Sequence, residues 1–234
     1  MSDFEHGSGS EPDGGDRLLI AAPMRLEALL LSSGTRGARV YRTGMGPARS
    51  RAAAKVLFGE QGDRVLVVGF CGGLEDSSEP GEVIVADEVR PDPRTQATGG
   101  AERQEHWRCA GSDQLAAVLS GHGLAIRRGP VVSVSRLVLG EERQALRASG
   151  AIAVDMESLW LAAGAGGRPF GVVRIVLDSP THELLRPTVA LGAVRAANAL
   201  RRVAGALRGW SPGPGAIGHL ATRRATIQGD ARGI

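Results

Sequence analysis

The stretch Phe170-Gly-Val-Val-Arg-Ile-Val-Leu177 is a short apolar run rich in β-branched residues, and Asp178 follows it directly. A second run, Ala151-Ile-Ala-Val154, is followed by Asp155-Met-Glu157. Runs of this kind predict strands that are buried on both faces of a parallel sheet. Such sheets hold ligands at the carboxyl ends of their strands, and an unpaired buried charge is costly. The acids at the two strand ends together predict an enzyme site, although the acids at either strand end alone would be explained by the N-cap of a following helix.

Apolar runs alternate with amphipathic segments along most of the chain. Strands are predicted near 17–22, 38–43, 64–69, 82–89, 124–134, 151–154 and 170–177. Helices are predicted near 24–33, 47–59, 112–120, 141–148, 156–165 and 187–209, and the last should pack its apolar face on the sheet. This order predicts a single α/β domain, with a central mixed, mostly parallel sheet flanked by helices.

The domain is expected to span residues 17–210. The polar segments 1–16 and 211–234 are predicted to be disordered tails. The polar stretch 91–111 is predicted to be a loop or a flap.

The composition limits the classes of partner. The 28 basic residues are scattered without aromatic neighbours, which disfavours nucleic-acid binding. Cys71 and Cys109 do not form a disulfide framework, no spacing indicates a metal site, and no cofactor is expected. No apolar run approaches about 20 residues and no apolar signal segment stands at the start, so a cytoplasmic protein is expected.

Two glycine-rich turns follow predicted strands. Thr43-Gly-Met-Gly-Pro-Ala-Arg-Ser50 opens a helix, whose first amides could hold an anion. A dinucleotide fingerprint requires Gly or Ala where Arg49 stands, so a nicotinamide site is disfavoured. Gly69-Phe-Cys-Gly-Gly-Leu74 would let the backbone approach a ligand closely. The two turns favour a cradle for a small polar group such as a sugar or a phosphate.

Four motifs carry a resemblance to a known family. Gly69-Phe-Cys-Gly-Gly-Leu74 resembles the Gly-x-x-Gly-Gly-Leu turn of the nucleoside phosphorylase and nucleosidase superfamily. Ala153-Val-Asp-Met-Glu-Ser158 looks like its Val-Glu-Met-Glu ribose motif, and Arg174-Ile-Val-Leu-Asp178 looks like its Arg-x-x-Ser-Asp segment. Ala22-Pro-Met-Arg-Leu-Glu27 is similar to the first strand–helix junction of methylthioadenosine/S-adenosylhomocysteine nucleosidases. Within the superfamily, Thr43-Gly-Met-Gly-Pro-Ala and Val154-Asp-Met-Glu-Ser are most similar to hopanoid-associated phosphorylases, which act on adenosylhopane.

The resemblance implies a role for each residue of the site. Asp178 would be the general acid that acts on N7 of a purine, and Glu27 would activate water. Glu157 would bind the ribose hydroxyls, and Met156 would lie under the sugar. The rest of the base and sugar pocket would be lined by Phe70, Cys71, Gly72, Leu137 and Val138. If phosphate is the acceptor, it would be bound by Arg25, Gly44 and Arg49.

The chain also departs from the family pattern. Leu177 stands where the family has Ser, so the group that positions Asp178 must come from elsewhere, with Ser179 as a candidate. Leu137 stands where the family has an aromatic residue that stacks on the base, which puts the identity of the base in doubt. Arg174 is expected to be a buried partner of a carboxylate rather than a catalyst.

Together these observations predict an enzyme, either a nucleosidase or a nucleoside phosphorylase. Its expected substrate is a purine nucleoside with a modified 5′ position, adenosylhopane being one candidate, and the acceptor is water or phosphate. A non-catalytic nucleoside-binding regulator and a nicotinamide-dependent reductase are the alternatives. A homodimer or larger homo-oligomer is expected, and a lipidic 5′ group would add peripheral contact with the inner membrane.

Overall fold

A computed structural model describes residues 17–35, 37–96, 106–181 and 189–207. The strands in these segments are β1 (Leu18–Ala22), β2 (Arg39–Arg42), β3 (Arg64–Gly73), β4 (Val83–Pro91), β5 (Trp107–Arg108), β6 (Ile126–Ser133), β7 (Ala153–Asp155) and β8 (Phe170–Asp178). The helices are α1 (Arg25–Gly34), α2 (Pro47–Gly59), α3 (Pro93–Gln96), α4 (Ser112–Gly121), α5 (Glu141–Ala148), α6 (Ser158–Ala162) and α7 (Val189–Ala206), with a 3-10 turn at Ala163–Ala165.

Every predicted strand and helix has a counterpart in the structure, and the predicted α/β fold class is confirmed. The prediction of a loop over 91–111 is wrong in part, because α3 and β5 lie within it. Pairing with β4, which the local sequence does not reveal, makes 107–108 a strand. Residues 97–105 of that stretch lie outside the described residues, as do the predicted tails at 1–16 and 211–234.

The eight strands form one mixed sheet in the order β2-β1-β3-β7-β6-β4-β5, while β8 pairs with both β3 and β4. Consequently β3, β8, β4, β6 and β7 form a closed ring of paired strands. In this ring Gly72 is opposite Val154 on one side and opposite Asp178 on the other. The pairing therefore brings together the two strand ends whose acids the sequence singled out.

The core lies on both faces of the sheet because successive strand residues point to opposite sides. On β1, Ile20 packs on the side of α1, α4 and α7, whereas Leu19 packs on the side of α2 and α6. The predicted packing of the last helix on the sheet is confirmed, although two apolar residues of this helix, Leu191 and Val194, are exposed. Among the described residues, no helix has the length and apolar character needed to cross a membrane.

Candidate active site

A cavity of about 180 Å³ lies among residues that end or follow β1, β3, β6, β7 and β8. All nine residues predicted for catalysis and nucleoside binding line it: Glu27, Phe70, Cys71, Gly72, Leu137, Val138, Met156, Glu157 and Asp178. The lining also includes Arg143, which the sequence motifs did not identify. Residues that are far apart in the chain thus line the same cavity, and the role of each residue there remains a prediction.

Glu27 is a buried acid held in place by two backbone amides. The amide of Met24 donates to Oε2 at 2.6 Å, and the amide of Phe70 donates to Oε1 at 2.6 Å. Burial raises the pKa of Glu27 above its ordinary value of 4.5, although the Phe70 amide and the charge of Arg174 act in the opposite direction. A fixed carboxylate with a raised pKa is a stronger base than an ordinary glutamate and is therefore suited to accept a proton.

Glu157 lies next to the glycine turn that precedes α2. The amide of Gly46 donates to its Oε1 at 3.2 Å, and Nη2 of Arg174 lies 3.4 Å from its Oε2. Burial raises the pKa of Glu157 to about 7, against the lowering effect of Arg174. This carboxyl therefore changes charge within the physiological pH range.

Asp155 organises the start of α6 and binds Arg174. Its Oδ1 accepts hydrogen bonds from Ser133 Oγ at 2.5 Å and from the amides of Glu157 and Ser158. Its Oδ2 lies 2.8 Å from Nη2 of Arg174, and both side chains are fully buried. The N-cap of α6 is Glu157, so Asp155 is not the N-cap itself but accepts from the amides at the helix start from two residues earlier. The prediction that Arg174 is a buried partner of a carboxylate is confirmed.

Asp178 forms an ion pair with Arg143, which is almost completely buried. Nη2 of Arg143 donates to Oδ2 of Asp178, and its Nη1 donates to the carbonyl of Gly73 at 2.9 Å. Arg143 therefore contributes to positioning Asp178, the function for which Ser179 was the candidate. The Oγ of Ser179 lies 3.3 Å from Oγ1 of Thr181.

Gly72 and Cys71 lie beside this pair. A Cβ at position 72 would lie 3.3 Å from Oδ1 of Asp178 and 3.4 Å from Nη1 of Arg143, so glycine leaves room for the pair. Burial raises the pKa of the Cys71 thiol, which therefore stays protonated and is a poor nucleophile.

The residues predicted to hold phosphate do not line this cavity. Arg25 and Arg49 are exposed, and Arg49 lines a separate cavity that also contains Arg42. In the glycine turn, the Gly44 amide donates to the carbonyl of Pro23 at 3.1 Å, and the Gly46 amide binds Glu157. Both amides thus already donate to groups of the protein itself, which counts against both a phosphate cradle and a dinucleotide site at this turn. The phosphate assignment stays a prediction.

The chain matches a family model and several solved structures. The family model described as the phosphorylase superfamily matches residues 28–205. A search of curated protein sequences finds no match.

Among solved structures, a 5′-methylthioadenosine/S-adenosylhomocysteine nucleosidase from Neisseria meningitidis is 20% identical, with a TM-score of 0.67, covering 83% of this chain and 100% of that chain. An S-adenosylhomocysteine nucleosidase from Streptococcus pyogenes is 20% identical, with a TM-score of 0.65 and coverage of 85% and 99%. A futalosine hydrolase from Helicobacter pylori is 19% identical, with a TM-score of 0.67 and coverage of 82% and 96%. At these identities the likeness establishes the fold.

Proposed function

The chain belongs to the phosphorylase superfamily, and from that premise we propose that it cleaves the N-glycosidic bond of a 5′-modified purine nucleoside with water as the acceptor. One observation carries the proposal. Glu27 and Glu157 follow β1 and β7 and Asp178 ends β8, and all three are buried and line the same cavity. Because burying a carboxylate is costly even when it has partners, the convergence of three favours a site that uses their charge.

The reaction breaks the bond between C1′ of the sugar and N9 of the base. The bonding electrons leave with the base, so positive charge develops on the sugar as in other glycoside cleavages. An ionised Glu157 would stabilise that charge and accept hydrogen bonds from the ribose hydroxyls. Asp178 and Arg143 would lie at the base, on the other side of the breaking bond.

Glu27 would accept a proton from the attacking water. The oxygen of the water bonds to C1′, its proton passes to Glu27 and then to solvent, and the departing base takes up a proton. The net reaction is nucleoside plus water to free base plus free sugar. A carboxylate has about four acceptor positions, so two amide hydrogen bonds leave Glu27 able to accept from water.

The charges around the cavity favour water over phosphate. Asp155, Glu27 and Glu157 interact with Arg174, and Asp178 is already paired with Arg143. Arg136, which also lines the cavity, is paired with Glu142. A phosphate anion placed beside these carboxylates would be repelled. The predicted phosphate residues are also elsewhere, which leaves hydrolysis as the better supported reaction.

The exposed lining of the cavity contains large apolar side chains beside the charged Arg136, and its apolar part suits an apolar 5′ substituent. Met45 is 50% exposed and Leu137 is 54% exposed, and Leu177 and Met156 lie deeper in the same lining. The similar solved structures include nucleosidases named for methylthioadenosine and S-adenosylhomocysteine and a futalosine hydrolase. We propose a large apolar 5′ group for this chain, with adenosylhopane as the candidate and adenine as the released base.

The test is to incubate the protein with a panel of purine nucleosides, with and without phosphate, and to measure free base and sugar products. Hydrolysis predicts base release without phosphate and free ribose as the product. Asp178→Asn should fold normally and release base about 10²–10³-fold more slowly, because a neutral amide no longer holds the Arg143 cation at the base by its charge. Base release that requires phosphate would favour a phosphorylase. Tight nucleoside binding without base release would favour a regulator, and tight NAD(P)H binding would favour a reductase.

The proposal also includes a homo-oligomer and a peripheral contact with the membrane. Leu26, Leu29, Leu191 and Val194 are large apolar side chains that are about half exposed or more. Surfaces of this kind are where a homo-oligomer or a peripheral membrane contact would form. Light scattering would measure the oligomer, and flotation with lipid vesicles would measure the membrane contact.

A further inference from the structure

Arg143 is a buried cation in the wall of the cavity, and it connects three segments around Asp178. Its Nε donates to the carbonyl of Val138 at 3.2 Å, its Nη1 donates to the carbonyl of Gly73, and its Nη2 donates to Asp178. A guanidinium carries five N–H groups in a fixed plane, so each Nη has a second N–H beyond these contacts. Because Arg143 also lines the cavity, it is positioned to donate to a bound base.

The same ion pair determines what Asp178 can offer to a base. A neighbouring guanidinium favours the ionised form of a carboxyl group, and an ionised carboxylate accepts hydrogen bonds but cannot donate one. Donation of a proton from Asp178 to N7, the role that the resemblance implies, therefore works against the pair with Arg143. A carboxylate in this position suits a base that presents an N–H group to it.

We propose that Arg143 donates the hydrogen bond to N7 of the leaving purine, while Asp178 stays ionised and accepts from the 6-amino group. This inference rests on the proposed function. The outer edge of adenine presents an acceptor, N7, beside a donor, the 6-amino group, whereas a 6-oxopurine presents two acceptors. The Arg143–Asp178 pair presents a donor beside an acceptor. The pair thus matches a 6-aminopurine and disfavours a 6-oxopurine.

The arrangement also accounts for the departure of the base. When the bond between C1′ and N9 breaks, its electrons stay on the base and negative charge develops on the imidazole ring. A fixed cation at N7 stabilises this charge without losing its own proton, because a guanidinium stays protonated in proteins. The base is then protonated by water as it leaves the site. Arg143 is thus assigned as a catalytic residue that the family motifs do not contain.

Binding of two uncleavable ligands tests this assignment without turnover. Carbocyclic adenosine contains N7, and its 7-deaza counterpart has a C–H group in that place. Their dissociation constants are measured by calorimetry from about pH 5 to about pH 9, a range over which carboxyl groups lose their protons. The wild-type protein should bind the N7 ligand about 10- to 100-fold more tightly at every pH, because the donor keeps its proton throughout.

Variants of Arg143 test whether this residue donates the hydrogen bond to N7. Arg143→Met should lose the N7 preference at the alkaline end, where Asp178 cannot donate, and Arg143→Lys should keep part of it. Arg147→Met is the matched control, since Arg147 is an exposed arginine of the same helix that pairs with Asp76, and it should keep the full preference. Melting curves show whether each variant folds.

Two results would overturn the assignment. A wild-type preference that fades as the pH rises would identify protonated Asp178 as the donor, and this measurement needs no variant. A full preference in folded Arg143→Met at alkaline pH would exclude Arg143. Neither ligand is cleaved, so a negative result here would contradict the role of Arg143 without contradicting the proposed function, which the base-release assay tests separately. A pH-independent N7 preference without any base release would count against the proposed function alone.

Discussion

Gly69 and Glu27 are in such close contact that a Cβ at position 69 would lie 2.6 Å from Oε1 of Glu27. The same Cβ would lie 2.9 Å from Nη1 of Arg174, which binds the adjacent carboxylates. The amide of Phe70 fixes Oε1 from the same strand, so Glu27 cannot move away without losing that bond. The missing side chain at Gly69 therefore allows Glu27 to reach the cavity.

Gly69→Ala should slow base release by displacing Glu27. A shift of about 1 Å in a catalytic group can cost about a hundredfold in rate, and we expect a loss of that order. Gly59→Ala is the control, because a Cβ at Gly59, the last residue of α2, would have no atom within 4 Å. The measurements are kcat and the melting temperature of both variants. Near-normal turnover in folded Gly69→Ala would show that the position of Glu27 is not critical.

Glu27→Gln should reduce hydrolysis by about 10²–10⁴-fold, because glutamine cannot accept the proton of water. Burial raises the pKa of Glu27, so its active, ionised form is lost at a higher pH than for an ordinary glutamate. Wild-type activity should therefore decline as the pH falls, beginning at a higher pH than an ordinary glutamate pKa of 4.5 would give. Glu141→Gln, which alters an exposed acid, should leave the pH–rate profile unchanged. Glu27 would not be the base if Glu27→Gln keeps both the rate and the acid limb.

Glu157→Gln should impair the cleavage of ribosides more than that of 2′- or 3′-deoxy analogues. The reason is that a carboxylate accepts strong hydrogen bonds from hydroxyl groups, and the deoxy sugars lack one of them. The measurement is kcat/KM of the wild-type and variant proteins on matched nucleosides. An equal loss on all sugars would indicate that Glu157 has a structural role.

The raised pKa of Glu157 should also affect stability. Its pKa rises from 4.5 to about 7 on folding, so between these values the folded protein binds more protons than the unfolded chain. The contribution to the free energy of unfolding is full below about pH 4.5 and is lost as the pH rises through about 7. Wild-type protein should therefore lose stability relative to Glu157→Gln over this interval, as measured by urea unfolding at each pH. A constant difference between the two proteins would contradict this prediction.

A nucleoside with a long apolar 5′ group should be a better substrate than methylthioadenosine. Apolar area removed from water contributes about 25 cal/mol per Å², and the exposed lining at Met45 and Leu137 is apolar. The values of kcat/KM for both substrates would be compared in detergent micelles. Leu137→Ser should reduce the difference, since Leu137 is half exposed and its replacement should leave the fold intact. Much faster cleavage of methylthioadenosine would exclude the hopanoid substrate and leave the nucleosidase function standing.

Most of the secondary structure could be predicted because it is encoded locally. The runs that became β1, β3 and β8 are short, apolar and β-branched, and that pattern defines a buried strand at any position in a chain. The acids at the ends of β7 and β8 indicated a site because buried charge requires a reason. Strand β5 was missed because two residues carry no periodicity, and only its pairing with β4 makes it a strand.

The amino-acid sequence by itself determined the fold class, the family and nine of the residues that line the cavity, since these follow from local patterns and motif order. Only the tertiary structure decided how the charges are paired. Arg143 and Asp178 are 35 positions apart, and they meet because β8 pairs with β3 and α5 packs near that strand end. The Gly46 amide reaches Glu157 across 111 positions, and no local pattern specifies this contact. An isolated arginine in an amphipathic helix is indistinguishable from a surface residue until the strands place a carboxylate beside it, because burial and pairing depend on the whole fold.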